Sequence, residues 1–195
     1  MPRQLLPPDV YRLVRPRSRG YIPHWEVDGG TYSVTFRELD SLPRHVRLRL
    51  DAERLAIRKS ISGDRMPTVI ENTQIRRLCE LSLDGELDRA YGRCRIGQLA
   101  QVVASALTHF DRDRYELFAW SVMPNHVHVV FTAHEPLQKT LHSWKSFIAH
   151  QADGPLFERE YFDRLIRDER DLEASIAYVR NNPSKAGMHN WPWIG

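Results

Sequence analysis

Residues 114–133 read RYELFAWSVMPNHVHVVFTA. Two runs rich in aromatic and β-branched residues flank Pro124-Asn125, a turn dipeptide, so the stretch reads as an antiparallel hairpin. Successive side chains of a strand point to opposite faces. His126 and His128 therefore share a face, about 6 to 7 Å apart along the second strand. Two imidazoles on one strand face are half of a divalent-metal site, and a hard ion such as Mg²⁺ or Mn²⁺ would add oxygen ligands. Histidines in apolar strands also serve as hydrogen-bonded core residues, so the pair alone leaves both readings open.

Working outward, TYSVTFREL from Thr31 alternates after a Gly29-Gly30 turn and is expected to form a first strand. Leu48, Leu50, Leu55 and Ile57 favour a helix to about Ser60, and ENTQIRRLCELSLDGELDRAYG a further helix interrupted around Gly85. In RIGQLAQVVASALTHFD, Leu99, Val102, Val103, Ala106, Leu107 and Phe110 recur at helical spacing. Beyond the hairpin, Leu137, Leu141, Trp144 and Ile148 mark one face of a second sheet-covering helix. EYFDRLIRD is a short strand, and Asp168 can cap a last helix that Pro183 is expected to stop. Strand, helical region, strand, strand, helix, strand, helix is the ferredoxin-like split βαβ order, an α+β palm on an antiparallel sheet with one extra C-terminal helix.

Residues 1–28, with five arginines and several prolines, are expected to form an irregular basic arm before a single domain over 29–195. Only Cys79 and Cys94 are present, no window has the apolar length of a membrane span, and no secretory signal core is seen. These features predict a cytoplasmic protein. A net charge of +3 permits a polyanionic partner without demanding one. Of 28 basic residues only Lys59, Lys139, Lys145 and Lys185 are lysines, a bias better ascribed to genome composition than to phosphate binding.

In the last helix Tyr178 and Asn182 are four apart, so a phenol and an amide lie on one helical face. Taken alone they read rather as core and helix-end residues. MPNHVHVVF, SWKSF, YFDRLIRD and YVRNNPSKAG follow one another after YIPHW and TYSVTFRELDSLP. This ordered set, from about Tyr21 to Trp193, resembles the REP-associated tyrosine transposases, relatives of the HUH single-strand transposases of bacterial insertion sequences. The resemblance implies His126 and His128 as metal ligands, Asn182 as the third, Tyr178 as nucleophile, and Mg²⁺ or Mn²⁺ as cofactor. It implies single-stranded DNA bearing palindromic hairpins as partner, a 5′-phosphotyrosine intermediate, and a monomer in preference to a dimer. The chain departs from the family's pattern in a shorter segment after the SWKSF helix and in Phe157-Glu158, where a tryptophan-glutamine pair is usual.

Cations near these elements, Lys139, Lys145, Arg159, Arg164, Arg167, Arg180 and Lys185, are candidate DNA contacts. Trp120 and Trp144 lie in apolar patterns and are expected in the core. The competing class is a non-catalytic protein that uses the same palm to bind a DNA or RNA hairpin. A histidine-triad hydrolase would need a third alternating histidine, and a β/α barrel more residues.

Overall fold

The computed structural model describes residues 15–17, 24–60, 68–152 and 154–195. Two short strands, β1 (Arg15–Arg17) and β2 (His24–Glu26), pair antiparallel. The central sheet contains β3 (Thr31–Arg37), β4 (Tyr115–Val122), β5 (His126–Ala133) and β6 (Phe162–Ile166) in the order β4-β5-β3-β6, with every neighbouring pair antiparallel. The first and second of these strands in the chain are thus separated by the third, which makes the βαβ unit split. This is the expected α+β palm.

Alternation divides the sheet into unlike faces. Tyr32, Val34 and Phe36 of β3 and Val127, Val129 and Phe131 of β5 point to one side. There they pack on α5 (Ala100–Thr108) and α6 (Leu137–Gln151), whose Val103, Leu107, Leu141, Trp144 and Ile148 complete the main core. The Trp144 indole is itself tied, donating to the Tyr115 hydroxyl at 3.0 Å.

The opposite face carries Thr35, Ser121, His126 and His128 among apolar neighbours. It is covered by α7 (Glu169–Lys185), whose Leu172 and Val179 meet Phe118, Val130 and Ile166. It is also covered by helices from the β3–β4 connection. These are α1 (Arg44–Ser60), α2 (Val69–Arg77), a π-helical stretch Leu78–Leu83 and α3 (Asp84–Leu87), gathered around Leu50, Leu78, Leu83, Leu87 and Phe162. The outer edge of β4 is paired as well. Trp120 and Gly195 exchange both backbone hydrogen bonds at 3.0 Å, and Val122 N donates to Trp193 O, so that edge is closed to a further strand.

Four local expectations need correction. The arm is not irregular throughout, because β1 and β2 form a ladder inside it; residues 1–14 and 18–23 of that arm lie outside the described residues. Gly85 does not interrupt its helix: it is exposed on α3, and the change of helical pitch comes earlier, at Leu78–Leu83. A solvent-facing glycine costs a helix about 1 kcal/mol, too little to break one held by Leu83 and Leu87.

The run from Arg95 is two helices, α4 (Arg95–Gln98) and α5, with Leu99 between them at φ −101° and ψ 17°. The break lets Gly97 N donate to Pro124 O at 2.8 Å, and a Cβ at Gly97 would lie 3.0 Å from Pro124 Cα. The hairpin turn is thereby clamped. Pro183 lies inside α7 rather than after it; the missing N–H costs one bond, and the helix ends at Gly187 (φ 77°) with Met188 N bonded to Pro183 O.

Candidate active site

The histidine pair is buried, His126 fully and His128 to within 1%. Their rings stand perpendicular with Nε2 atoms 3.0 Å apart. The protons can be placed by following the chain of partners. Asn125 Nδ2 donates to Tyr91 O at 3.0 Å, and a carbonyl can only accept, so Asn125 Oδ1 faces His126 Nδ1 at 2.8 Å as acceptor. His126 therefore carries its proton on Nδ1 and bares Nε2. Burial, and after it His128, hold its pKa well below the ordinary imidazole range, which keeps that lone pair free at neutral pH.

His128 Nδ1 lies 2.8 Å from Thr35 Oγ1. A hydroxyl donates or accepts, so His128 can place its proton on Nε2, toward His126, or on Nδ1, leaving two bare Nε2 atoms side by side. The second arrangement is a ligand pair. A separation of 3.0 Å is the span of two bonds of about 2.1 Å at right angles, the octahedral geometry of Mg²⁺.

Asn182 meets the requirement for an oxygen donor. It is fully buried on α7, and neither its amide oxygen nor its nitrogen has a hydrogen-bond partner. Leaving such a group unsatisfied costs about 1–3 kcal/mol, which a cation on the oxygen would offset. Among the described residues no group of three or more His, Cys, Asp or Glu is placed to hold a metal. The residues fit a small hard cation. Asn182→Ala is expected to weaken Mn²⁺ binding about tenfold or more at little cost in stability, by calorimetric titration and thermal melting. Thr35→Val, which removes the hydroxyl orienting His128, is expected to weaken it about 10- to 100-fold by the same titration.

Tyr178 stands one helical turn before Asn182 on α7, half-buried, with its ring edge-on to His128 at 6.0 Å between centroids. The phenol is on the histidine side of the sheet. Its hydroxyl donates to Asp84 Oδ2 at 2.6 Å, and that oxygen is 3.9 Å from His128 Nε2. Lys185 Nζ lies 5.3 Å from the centre of the Tyr178 ring.

The chain has a counterpart among known proteins. Over 102 residues, 48% of this chain, it is 26% identical to the REP-associated tyrosine transposase of Escherichia coli (strain K12). The chain spans 62% of that relative's length. Its fold matches a solved REP-associated tyrosine transposase bound to a REP hairpin, with a TM-score of 0.54 at 17% identity over 88% of this chain and 79% of the other. The chain is thus similar in sequence to one REP-associated tyrosine transposase and in fold to a solved one. No protein-family model matches it.

The structure sorts the candidate DNA contacts by what already holds them. Arg164 is buried, with its guanidinium bonded to the Asp171 carboxylate and to Ser175 Oγ at 2.7 Å, so it joins β6 to α7. Lys145 donates to the carbonyls of Glu158 and Arg159 at 2.9 and 3.3 Å, and burial lowers its pKa to about 8. Both serve the fold. Arg180 is exposed yet donates to Phe118 O at 3.2 Å, and exposed Lys139 pairs with Glu135 at 2.8 Å. Arg159 and Lys185 are also exposed, while Arg167 is half-buried.

Phe157 and Glu158 have structural work: Phe157 packs edge-on to Phe36 at 5.4 Å, and Glu158 pairs with Arg37 at 3.6 Å. Sequence reading missed Asn125 and Asp84. Asn125 was legible as a turn residue only. Asp84 had one signal, the four-residue spacing to Asp88 in LSLDGELD, which puts two carboxylates on one helical face. Burial, together with the Asp84 charge, raises the Asp88 pKa, while His128 and Lys185 pull it down.

Proposed function

We propose that this chain is a metal-dependent tyrosine nuclease and strand transferase that acts on single-stranded DNA beside a palindromic hairpin. The observation that carries the reading is the placement of the Tyr178 phenol against the histidine pair, on the one helix that also brings a buried, unbonded amide. The hairpin named with the solved relative supports the partner class.

His126, His128 and Asn182 would hold Mg²⁺ or Mn²⁺, which when bound draws charge from a phosphate oxygen and fixes the phosphate for in-line attack. Tyr178 supplies the nucleophile. A free phenol ionises near pH 10 and attacks poorly at pH 7, so its placement beside a charge-neutralised phosphate matters more than its basicity. The Tyr178 oxygen forms a bond to phosphorus as the bond from phosphorus to the 3′-oxygen breaks. The phenol gives up its proton and the leaving 3′-oxygen takes one up. The product is a 5′-phosphotyrosine and a free 3′-hydroxyl. Because the new ester keeps the phosphodiester bond energy, the 3′-hydroxyl of another strand can reverse the step and join to it. No nucleotide cofactor is needed.

Incubation with hairpin-bearing single-stranded DNA and Mn²⁺ is expected to give a covalent protein–DNA adduct; tight hairpin binding without any adduct would favour the non-catalytic binder.

A further inference from the structure

The Tyr178 hydroxyl is held from outside its own helix. It rests on Asp84 Oδ2 at 2.6 Å, a short charge-assisted bond, and Asp84 is 2% exposed. Asp84 arrives from the β3–β4 connection, at the point where the π-helical stretch gives way to α3. Leu83 and Leu87, four apart and only 0% and 1% exposed, fasten this segment into the core beneath α1. Asp84 and Asp88 follow each by one position and so turn to the neighbouring face, where His128 and Lys185 act on the Asp88 carboxyl. The acceptor is thus carried by a segment anchored in that core. A tyrosine side chain swings about two torsions, and placing its oxygen takes a second fixed point.

We infer that Asp84 is a positioning residue, which sets the Tyr178 oxygen beside the histidine pair for attack on the phosphate. The inference rests on the strand-transfer reading above. Asp84 acts through the hydrogen bond it accepts, so what matters is an oxygen acceptor at that point.

The test is single-turnover adduct formation with a hairpin-bearing single-stranded oligonucleotide and Mn²⁺, comparing wild type, Asp84→Ala and Asp84→Asn, with hairpin affinity and far-ultraviolet dichroism as folding checks. Asp84→Ala is expected to lower the rate of adduct formation about 10- to 100-fold while the half-saturating DNA concentration stays within about twofold. Asp84→Asn, whose amide oxygen accepts the same bond, is expected to recover most of that loss. If Asp84→Ala does not fold, Asp84→Ser, too short to reach the phenol, takes its place with the same expected loss. An Asp84→Ala rate equal to wild type overturns the inference, as does a faster one, which would make the contact a latch. An Asp84→Asn rate as low as that of Asp84→Ala overturns it too. Absence of any adduct in wild type overturns the transfer reading itself and this inference with it, and so differs from a wild-type adduct that Asp84 variants leave unchanged.

Discussion

Tyr178→Phe is expected to eliminate the covalent adduct, to below the detection limit of a denaturing gel, while hairpin affinity stays within about threefold. The substitution removes one oxygen. That oxygen is the proposed nucleophile; Tyr32 and Tyr115 are buried in the main core, on the other side of the sheet, with hydroxyls bonded to backbone groups, Tyr161 packs against that same core, and the Tyr91 hydroxyl accepts from Arg89. Burial also raises the pKa of the Tyr32 and Tyr115 phenols, which suits a core residue. The fold should survive, since Phe keeps the ring edge-on to His128 and forfeits only the bond to Asp84. Such a bond contributes about 1.5–3 kcal/mol when one partner is charged, so a melting temperature lowered by several degrees is the accompanying expectation. Adduct in Tyr178→Phe would move the nucleophile elsewhere.

His126→Ala and His128→Ala are each expected to reduce cleavage by at least about a thousandfold, an effect nearly as large, and to leave much of the hairpin affinity. Binding of a single strand is carried by backbone cations and stacking, spread over many residues, whereas the proposed metal would depend on two nitrogens 3.0 Å apart. The variants should differ in stability in an informative way. His126→Ala strands the Asn125 oxygen at the end of its chain of bonds, while His128→Ala leaves a Thr35 hydroxyl that can rotate to another partner. Normal cutting by both would remove the metal from the proposed function.

The palm was legible because its strands announce themselves by alternation and the hairpin by its turn dipeptide; β5 begins and ends where the HVHVVFTA run does. The sharing of a face by His126 and His128 follows from the same period, and that of Tyr178 with Asn182 from the helical one. What sequence alone left open is which side of the sheet α7 covers, since Ile176, Tyr178 and Val179 read as ordinary core. The structure puts Tyr178 at the margin of that core, beside His128.

Asp84 was hidden for a different reason. Residues 69–88 pass from α-helical through π-helical to α-helical pitch, so no single period runs through them, and the spacing to Asp88 pairs the two carboxylates without saying which way their shared face turns. Pro183 misled through its usual meaning. It stops most helices, but here it sits in the last turn, where one lost N–H matters little and Gly187 does the stopping.

The central claim is that one buried site joins the histidine pair to the phenol of α7. Its most direct measurement is peptide mapping of the protein after reaction with a hairpin-bearing single strand in Mn²⁺. The expected result is an oligonucleotide attached through its 5′-phosphate to Tyr178, within the tryptic peptide 171–180, and its loss in His126→Ala. Attachment to another residue, or an adduct at Tyr178 that forms equally well without the histidine, would contradict it.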